Sequence, residues 1–557
     1  MPKVSCPFYF SLHLHIFFSC AENIVDKIEV VKYMVVEVCM FYQRRSLLIL
    51  LTVSALFFPK AGYAEPVVAK HKNVIMMVMD GTNSDVVTLA RWYKGKPLAL
   101  DEILVGGVHT HSLRSAITDS AAAGTALATG HKTIVNAIGM VPGSNRNGFA
   151  PVVNLSEAAK LAGMATGLVS TSEIQNATPA SYSSHVTDRN NYHDIAEQQV
   201  YQNLDVVLGG GKSSLAAKNR ADREDLMPVV KKMGYQVVET KEQLAGVRGS
   251  KVWGSLAQSA LSNHFDREAL TPSQPSLADM TEAAIQVLDR KQDQGFFLFV
   301  EGSKIDWAAH KNDPVGMVSE VLGFDEAVGK ALEYAKKDGN TMVIAVTDHG
   351  NSGLTMGSSS TDRTYGATPA PTFIEPLKKA KLTLEGAMTQ LKPDHSNLLK
   401  VAELYGLGNV TRDELGNLKG AENLENAMAG MLASRAKLGF TTHGHTGENV
   451  FLYAYGPGKP SGLIDNTDIP RVIGNYLGIT DLNYKVKYVE AGQYFKGKGF
   501  KVTIKDGMSA NPVLIVEHEG VKLEYPENKN YYLKDGVPVE TLAPTVFNGK
   551  EFFVAVE

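Results

Sequence analysis

The sequence NVIMMVM, Asn73–Met79, is a continuous apolar run that is followed by Asp80-Gly81-Thr82. Such a run is typical of a strand buried on both faces, as in a parallel sheet covered by helices. In open α/β sheets, ligand-binding groups lie beyond the carboxyl ends of the strands. Asp80 therefore fits a ligand-binding carboxylate, and it fits a helix cap equally well.

Four more apolar runs follow the same pattern and alternate with helical segments. The predicted strands are Ala165–Ser170, Phe296–Val300, Thr341–Thr347 and Asn449–Tyr455. The predicted helices are Asn154–Ala162, Asp279–Gln294, Pro314–Lys337 and a segment near Ile469–Leu477. This alternation predicts an α/β fold with a doubly wound, mostly parallel sheet flanked by helices.

Two segments depart from the α/β pattern. Asn351–Phe440 interrupts it, so we expect an inserted subdomain at residues 350–442 of an α/β domain that spans residues 65–480. Tyr488–Glu557 is strand-like, with turns such as Lys534-Asp535-Gly536. It predicts a small β-rich C-terminal module at residues 485–557.

Composition limits the possible functions of this 557-residue chain. Its hydrophobic content of 44% is enough for a large core, and its net charge of −4, without a long basic run, argues against nucleic-acid binding. The three cysteines, Cys6, Cys20 and Cys39, all lie near the N-terminus. If that segment is removed, any metal must be held by His, Asp or Glu.

The N-terminal residues resemble a signal peptide. Gln43-Arg44-Arg45 precedes the apolar run Leu47–Phe58 and the small-residue site Ala61–Ala64. The run is too short to span a membrane. We therefore expect a leader over residues 1–64, cleavage after Ala64, and export to the periplasm or the extracellular space. Met40 is a candidate for the true start, and a membrane-associated leader is the alternative.

The sequence ITDSAAAGTALATG, Ile117–Gly130, predicts a helix with a serine at its start. Asp119 and Ser120 are good N-caps, the alanines favour helix, and Gly130 is a natural stop. Backbone N–H groups at such a position favour an anion. Taken alone, the Asp-Ser pair is typical of an ordinary helix cap.

Other acidic and histidine residues lie where they can converge. Asp306 and His310 share one face of a helix at i,i+4 spacing, although an exposed acid–histidine pair has the same spacing. Asp348-His349-Gly350 follows a predicted strand, and Glu301 ends another. His445 precedes the strand Asn449–Tyr455 and is either a site residue or a loop residue.

The sequence VVLGGGKSS, Val206–Ser214, looks like a phosphate-binding loop but lacks its first glycine. That glycine should stand five residues before Gly211, where the chain has Val206. We expect a turn there instead.

A doubly wound sheet brings Asp80, Glu301, Asp348, His349 and His445 to one edge. With the helical pair Asp306 and His310, the set is large enough for two three-ligand zinc sites and an oxygen-rich magnesium site.

The chain resembles the alkaline phosphatase family at motifs that occur in the family's order. They are VMDG (Val78–Gly81), TDSAAAGTALATG (Thr118–Gly130), NATPA and HVTDR within Asn176–Arg189, VEGSKIDWAAH (Val300–His310), VTDHG (Val346–Gly350) and HTGENV (His445–Val450). Any one of these motifs is weak evidence, whereas their combination is specific. The resemblance covers roughly Asn73 to Leu477.

The resemblance implies hydrolysis of phosphate monoesters through a phosphoseryl intermediate on Ser120. It implies that Arg189 holds the phosphoryl oxygens and that Asp119 orients Arg189. It also implies two Zn²⁺ ions, one Mg²⁺ ion and a homodimer. The implied ligands are Asp306, His310 and His445 for the first zinc, Asp80, Asp348 and His349 for the second, and Asp80, Thr178 and Glu301 for magnesium.

Two positions vary within the family, and some members carry an acid and a lysine there. This chain has Asn176 and Trp307. With Asn176, the chain has neither an acid nor a histidine at this position beside the magnesium site. With Trp307, it lacks the positive charge of a lysine. We therefore expect a more easily emptied magnesium site and weaker binding of product phosphate.

Two other readings stay open. A phosphodiesterase or sulfatase of the same superfamily is the nearer one, although Ser120 is followed by three alanines rather than by a sulfatase motif. A non-catalytic protein that binds zinc or phosphate is the other, and Ser120 and Arg189 beside a full ligand set argue against it.

Overall fold

A computed structural model describes residues 71–143, 148–291, 294–479 and 486–556. The predicted leader, its cleavage site after Ala64, Met40 and the three cysteines lie outside the described residues. Within those residues, none of the helices combines the length and the apolar character needed to cross a bilayer.

The central sheet combines strands from most of the α/β region. We number them in chain order, and the described residues contribute ten: β1 (Asn73–Met79), β2 (Leu104–His109), β3 (Ala165–Glu173), β4 (Val206–Gly210), β5 (Gln236–Val238), β6 (Val252–Ser255), β7 (Phe296–Gly302), β8 (Thr341–Val346), β9 (Val450–Tyr455) and β10 (Gly462–Asp465). Their order is β10-β2-β9-β8-β1-β7-β3-β4-β6-β5. Among these strands only β9 runs in the opposite direction, because it pairs antiparallel with β8 and β2. The predicted doubly wound, mostly parallel sheet is confirmed.

The middle strands are apolar throughout because both faces of the sheet are buried. In β1, Ile75 and Met77 pack into one hydrophobic cluster, and Val74 and Met76 pack into the other. Helices cover both faces, as expected for a parallel sheet. The described helices of the α/β region outside residues 350–442 are Ser84–Lys94, Ser120–Thr129, Leu155–Leu161, Ala177–Ser181, Tyr192–Gln202, Leu226–Lys232, Lys241–Ala245, Arg267–Leu270, Leu277–Leu288, Lys304–His310, Pro314–Asp338 and Asp468–Leu477.

Residues 350–442 leave the sheet after β8 and return before β9. Two short antiparallel pairings lie at the start and end of this segment: Gly350–Asn351 with His445–Thr446, and Thr355–Met356 with Leu438–Gly439. Its described α-helices are Pro371–Ile374, Leu384–Met388, Leu398–Leu404, Arg412–Gly420 and Leu424–Arg435. Their buried side chains join the cluster on one face of the central sheet, so the segment shares the main core.

The C-terminal residues form small antiparallel sheets around a separate hydrophobic cluster. The strands Lys501–Lys505, Val513–His518, Val521–Pro526, Tyr531–Lys534 and Val537–Glu540 form a meander, and Lys487–Glu490, Phe552–Val556 and Val546–Phe547 form a second sheet. Phe495, on the helix Ala491–Lys496, packs against Leu514 and Val554 in this cluster. We call residues 486–556 the C-terminal β region.

One expectation was wrong. Val206–Gly210 is the buried strand β4 of the central sheet rather than part of a turn, and a 3₁₀ helix, Lys212–Leu215, follows it. The glycines fit because β4 is closely covered: a Cβ at Gly209 would approach the Ile174 side chain to 2.5 Å. The rejection of a phosphate-binding loop rested on the spacing of the glycines and is unaffected.

Candidate active site

The candidate site lies at the carboxyl edge of the sheet, where β1 and its two neighbours end. In the sheet register Val78 lies beside Val346 of β8 and beside Glu301 of β7. Asp80 follows β1, and Asp348 follows β8 at the same edge. The Gly81 backbone N–H donates to Asp348 Oδ1 at 3.1 Å and joins the two loops.

Ser120 begins the helix Ser120–Thr129 beside these carboxylates. Asp119 is the N-cap, and its Oδ1 accepts from the Ala122 N–H at 2.9 Å. The Ser120 Oγ is buried and lies 3.2 Å from His349 Nε2. The hydroxyl therefore faces the edge of the sheet at which Asp80 and Asp348 lie.

Three histidines point their Nε2 atoms into the site because carbonyl groups hold their Nδ1 atoms. His349 Nδ1 donates to the Gly350 carbonyl at 3.2 Å, and His445 Nδ1 donates to the Thr118 carbonyl at 2.8 Å. His310 Nδ1 donates to the His443 carbonyl at 2.6 Å. This pattern fixes the tautomer that leaves an Nε2 lone pair free for a metal.

The outer part of the site is formed by Asp306, His310 and His445. His310 Nε2 lies 3.4 Å from Asp306 Oδ2 and 3.2 Å from His445 Nε2, while His445 Nε2 lies 3.5 Å from Asp306 Oδ1. The helix Lys304–His310 puts Asp306 and His310 on one face, as their spacing predicted. Two facing imidazole lone pairs repel unless a cation or a proton lies between them.

The inner part is formed by Asp80, Asp348 and His349, all buried. His349 Nε2 lies 3.5 Å from Asp80 Oδ1 and 3.3 Å from Asp348 Oδ2. Those two carboxylate oxygens receive no hydrogen bond from any described residue. The His349 ring also stacks on the His445 ring, with centroids 3.7 Å apart, so the inner and outer parts are in contact.

The protein environment alone disfavours ionisation of the inner carboxylates. Burial, together with the charges of Asp348, Asp306 and Glu301, raises the pKa of Asp80 well above its ordinary value. Burial and the charge of Asp306 raise the pKa of Asp348 to about 7. Burial lowers the pKa of His349, which keeps its ring neutral. Neutral imidazoles and carboxylates without donors are the groups that bind a divalent cation.

Glu301, Thr178 and Asp80 form an adjoining group with only oxygen atoms. Glu301 Oε2 accepts from Ser170 Oγ at 2.6 Å and from Ser303 Oγ at 2.5 Å, whereas Oε1 receives no hydrogen bond from the described residues. Thr178 Oγ1 donates to Asp80 Oδ2 at 3.4 Å. Burial raises the pKa of Glu301 to about 7. An oxygen-only set of this kind suits Mg²⁺.

Arg189 is bonded to Asp119, the residue that precedes Ser120. Its Nη1 donates to Asp119 Oδ2 at 3.3 Å, and its Nη2 donates to Asn176 Oδ1 at 3.3 Å. The Asn136 N–H donates to the same Asp119 oxygen at 3.0 Å. Since a guanidinium has five N–H groups, these contacts fix its plane and leave other N–H groups for an anion.

Some supporting residues were not predicted from the sequence. Asn351 Nδ2 donates to Asp306 Oδ1 at 2.7 Å, and Ser170 and Ser303 hold Glu301. Ser303 stands two residues after Glu301, and Asn351 stands three residues after Asp348. Proximity to a predicted site residue was the sequence signal for Ser303 and Asn351, and Ser170 had no such signal.

Comparison with known proteins places these residues in a family context. The family described as alkaline phosphatase matches residues 71–479. Alkaline phosphatase 4 of Bacillus subtilis is 40% identical over 433 residues, which are 73% of this chain and 89% of that protein. Thermus thermophilus alkaline phosphatase superposes with a TM-score of 0.67 at 28% identity, covering 74% of this chain and 92% of that one. A His-to-Glu variant of the alkaline phosphatase from the Antarctic bacterium TAB5, solved with Mg bound in its M3 site, gives a TM-score of 0.54 at 27% identity and covers 73% of this chain and 98% of that one.

We predict that Zn²⁺ raises the melting temperature of chelator-treated protein, because an ion that binds only the folded state stabilises it by about 2.7 kcal/mol at 100 times its Kd. The shift should be smaller at pH 6 than at pH 8, since protons compete for Asp348 below its pKa of about 7. Differential scanning fluorimetry measures both effects.

The variant Asp348→Asn tests this prediction against Asp362→Asn, which changes an exposed aspartate. Asp348→Asn should reduce the zinc-induced shift, and Asp362→Asn should leave it intact. Equal zinc shifts in the two variants would show that the ion binds elsewhere.

Proposed function

Because the chain belongs to the alkaline phosphatase family and is an enzyme that hydrolyses phosphate monoesters, we propose that the reaction passes through a phosphoseryl intermediate on Ser120. The observation that carries this proposal is the 3.2 Å distance from the Ser120 Oγ to His349 Nε2, at the edge where two carboxylate oxygens have no donor among the described residues.

Ser120 is the proposed nucleophile. Its Oγ would lose its proton to solvent and form a bond to phosphorus as the bond from phosphorus to the alcohol oxygen breaks, and the released alcohol oxygen would take up a proton from solvent. Water would then cleave the phosphoserine to give inorganic phosphate and restore the serine hydroxyl. The overall reaction consumes one ester and one water and releases one alcohol and one phosphate.

Arg189 is proposed to bind the phosphoryl oxygens. Asp119 and Asn176 hold its guanidinium from two sides, and a planar guanidinium matches two oxygens of a phosphoryl group. Its charge would stabilise the transferring group while the reacting oxygens move into line.

The residues of the site fit three metal ions. We propose that Asp306, His310 and His445 hold one Zn²⁺, and that Asp80, Asp348 and His349 hold a second. Asp80, Thr178 and Glu301 would hold Mg²⁺. A His-to-Glu variant of the TAB5 relative also holds Mg, in a site named M3. When bound, such ions favour ionised oxygen nucleophiles and stabilise charge on attacking and leaving oxygens.

We also propose that the protein is exported after cleavage behind Ala64 and that it works as a homodimer. The leader pattern supports the first proposal and the family resemblance supports the second. N-terminal sequencing of secreted protein and light scattering of the purified enzyme test them separately.

Ser120→Ala should lower kcat for a phosphate monoester by at least about 10³-fold, because the covalent step loses its nucleophile. Acid quenching during turnover should trap a phosphoenzyme in the unchanged protein and none in the variant. Ser115→Ala, which changes an exposed serine before the helix, should retain activity. The zinc-induced rise in melting temperature should persist in Ser120→Ala.

Substrate comparison gives a second readout of the same proposal. The unchanged enzyme should act much faster on a monoester than on a diester or a sulfate ester. Turnover that survives in Ser120→Ala, or a preference for the diester, would contradict the proposed nucleophile or the substrate class, respectively.

Trp307 and Asn176 are proposed to set the affinities for phosphate and magnesium. Trp307 is half-buried on the helix that carries Asp306 and His310, and the nearby Lys304 Nζ already bonds to the Leu261 carbonyl. Asn176 presents an amide oxygen where an acid would present a charge, and that oxygen accepts from Arg189.

Trp307→Lys should strengthen inhibition by inorganic phosphate several-fold, because a cation beside the site attracts the product anion. The matched variant Trp307→Phe should leave the inhibition constant nearly unchanged. Phosphate inhibition of the unchanged enzyme that equals or exceeds that of Trp307→Lys would contradict this role.

In addition, magnesium should raise the activity of chelator-treated enzyme that has been reloaded with zinc alone.

A further inference from the structure

Tyr488 and Asn528 of the C-terminal β region are linked to the chain around His185, four residues before Arg189. Tyr488 donates its hydroxyl to Glu157 Oε1 at 2.8 Å, and its ring meets the His185 ring edge-on at 4.9 Å. Asn528 Oδ1 accepts from Gln198 Nε2 at 2.9 Å. Both contacts cross from the C-terminal β region to the α/β domain.

Gln198, which bonds to Asn528, also bonds to the backbone of His185. Its Oε1 accepts from the His185 N–H at 2.7 Å, and its Nε2 donates to the His185 carbonyl at 3.0 Å. The side chain of His185 is thus held by Glu157, and its backbone is held by Gln198. Glu157 and Gln198 each also bond to the C-terminal β region.

His185 is buried between two hydrogen-bond acceptors. Its Nε2 lies 2.9 Å from Glu157 Oε1 and its Nδ1 lies 2.9 Å from the Gly139 carbonyl, so both ring nitrogens face acceptors. Burial opposes the charge, but Glu157 offsets it and the pKa of His185 is raised from its ordinary value. A ring that donates from both nitrogens has one fixed orientation.

Backbone hydrogen bonds fix the chain between His185 and Arg189. Val186 and Ile138 exchange two hydrogen bonds at 2.9 Å, and the Arg189 N–H donates to the Asn136 carbonyl at 2.9 Å. The Asn136 N–H in turn holds Asp119 Oδ2, the oxygen that also binds the Arg189 guanidinium. Residues 136–139 and 185–189 are therefore paired with each other, and we call this pair of segments the Arg189 template because it holds both the backbone and the side chain of Arg189.

The C-terminal β region also contacts the chain next to residues 136–139, the other segment of this template. Met140 follows Gly139 directly and packs in one cluster with Val546 and Phe553, and the Tyr488 ring borders that cluster. Asn548 Nδ2 donates to the Phe149 carbonyl at 2.7 Å, in the hairpin that Met140 begins. Both segments of the template therefore contact the same region.

We propose that the C-terminal β region positions Arg189 for phosphate by clamping His185 through Tyr488 and Gln198. This inference rests on the proposed role of Arg189 as the phosphate-binding residue. Tyr488, Glu157 and His185 are positioning residues in it, since none of them reaches the reacting atoms. A small displacement of a substrate-binding group has a large effect on catalysis, so a remote contact of this kind is able to set substrate affinity.

Tyr488→Phe tests the clamp, because it removes the hydroxyl and keeps the ring. We expect KM for a monoester and the inhibition constant for inorganic phosphate each to rise about three- to tenfold, because a displaced Arg189 would keep weakened hydrogen bonds to phosphate rather than lose them. The kcat value should change much less. Tyr525→Phe, which changes a tyrosine in the aromatic cluster of the same region, is the matched control and should leave both constants unchanged.

The same substitution in the Arg189→Ala background separates positioning from general stability. There, Tyr488→Phe should add no further rise in either constant, because the residue that it positions is gone. Constants equal to those of Tyr525→Phe, with only the melting temperature lowered, would overturn the clamp, and so would a rise of the same size in both backgrounds. Arg189→Ala enzyme with unaltered constants would instead overturn the assigned role of Arg189, and with it the clamp.

Discussion

The mutual repulsion of buried carboxylates and imidazole lone pairs is the constraint on which the site depends. Asp80 and Asp348 lie in the interior with oxygens that receive no donor from the described residues, and His349 presents a lone pair between them. Such a cluster is destabilising when its charges are unpaired. It can be relieved by protons, as the raised pKa values of both aspartates indicate, or by cations. Binding of a cation at this cluster would therefore stabilise the folded protein.

The sheet makes this arrangement possible because the rest of the core is apolar. β1 is buried on both faces and runs parallel to β7 and β8, so the carboxyl ends of these strands meet at one level. The one described strand of opposite direction, β9, begins at that edge and is preceded by His445. Residues far apart in the chain thus converge without a long irregular segment in the core.

The sequence was informative where burial alone decides the structure. Asn73–Met79, Phe296–Val300 and Thr341–Thr347 could be predicted because a strand covered on both faces must be apolar throughout. Val206–Gly210 was predicted wrongly because its glycines are also typical of a turn. The structure explains them by the close packing of Ile174 on Gly209 and of the Ser259 backbone on Gly210. The short strand Gln236–Val238 at the edge of the sheet carries too few apolar residues for a periodicity argument.

The site residues also divide into those that the sequence could predict and those that it could not. Asp80, Glu301 and Asp348 stand at or next to strand ends, where sequence reasoning can place them. Asn351 and Ser170 act through hydrogen bonds to Asp306 and Glu301, and such contacts exist only in three dimensions. The stacking of His349 on His445 is likewise a property of two loops that meet across the sheet edge, so neither local sequence contains it.

The C-terminal β region shows why a separate hydrophobic cluster does not imply a separate function. Residues 486–556 follow the part of the chain that the family model matches, and their apolar cluster involves their own side chains. Their polar contacts with the α/β domain include hydrogen bonds to Glu157 and Gln198, the two residues that hold His185. A buried ion pair has little tolerance for movement, because a lost partner leaves an uncompensated charge. A region that docks on these residues is therefore coupled to the segment leading to Arg189, whereas the carboxylates and histidines at the sheet edge are held by other contacts.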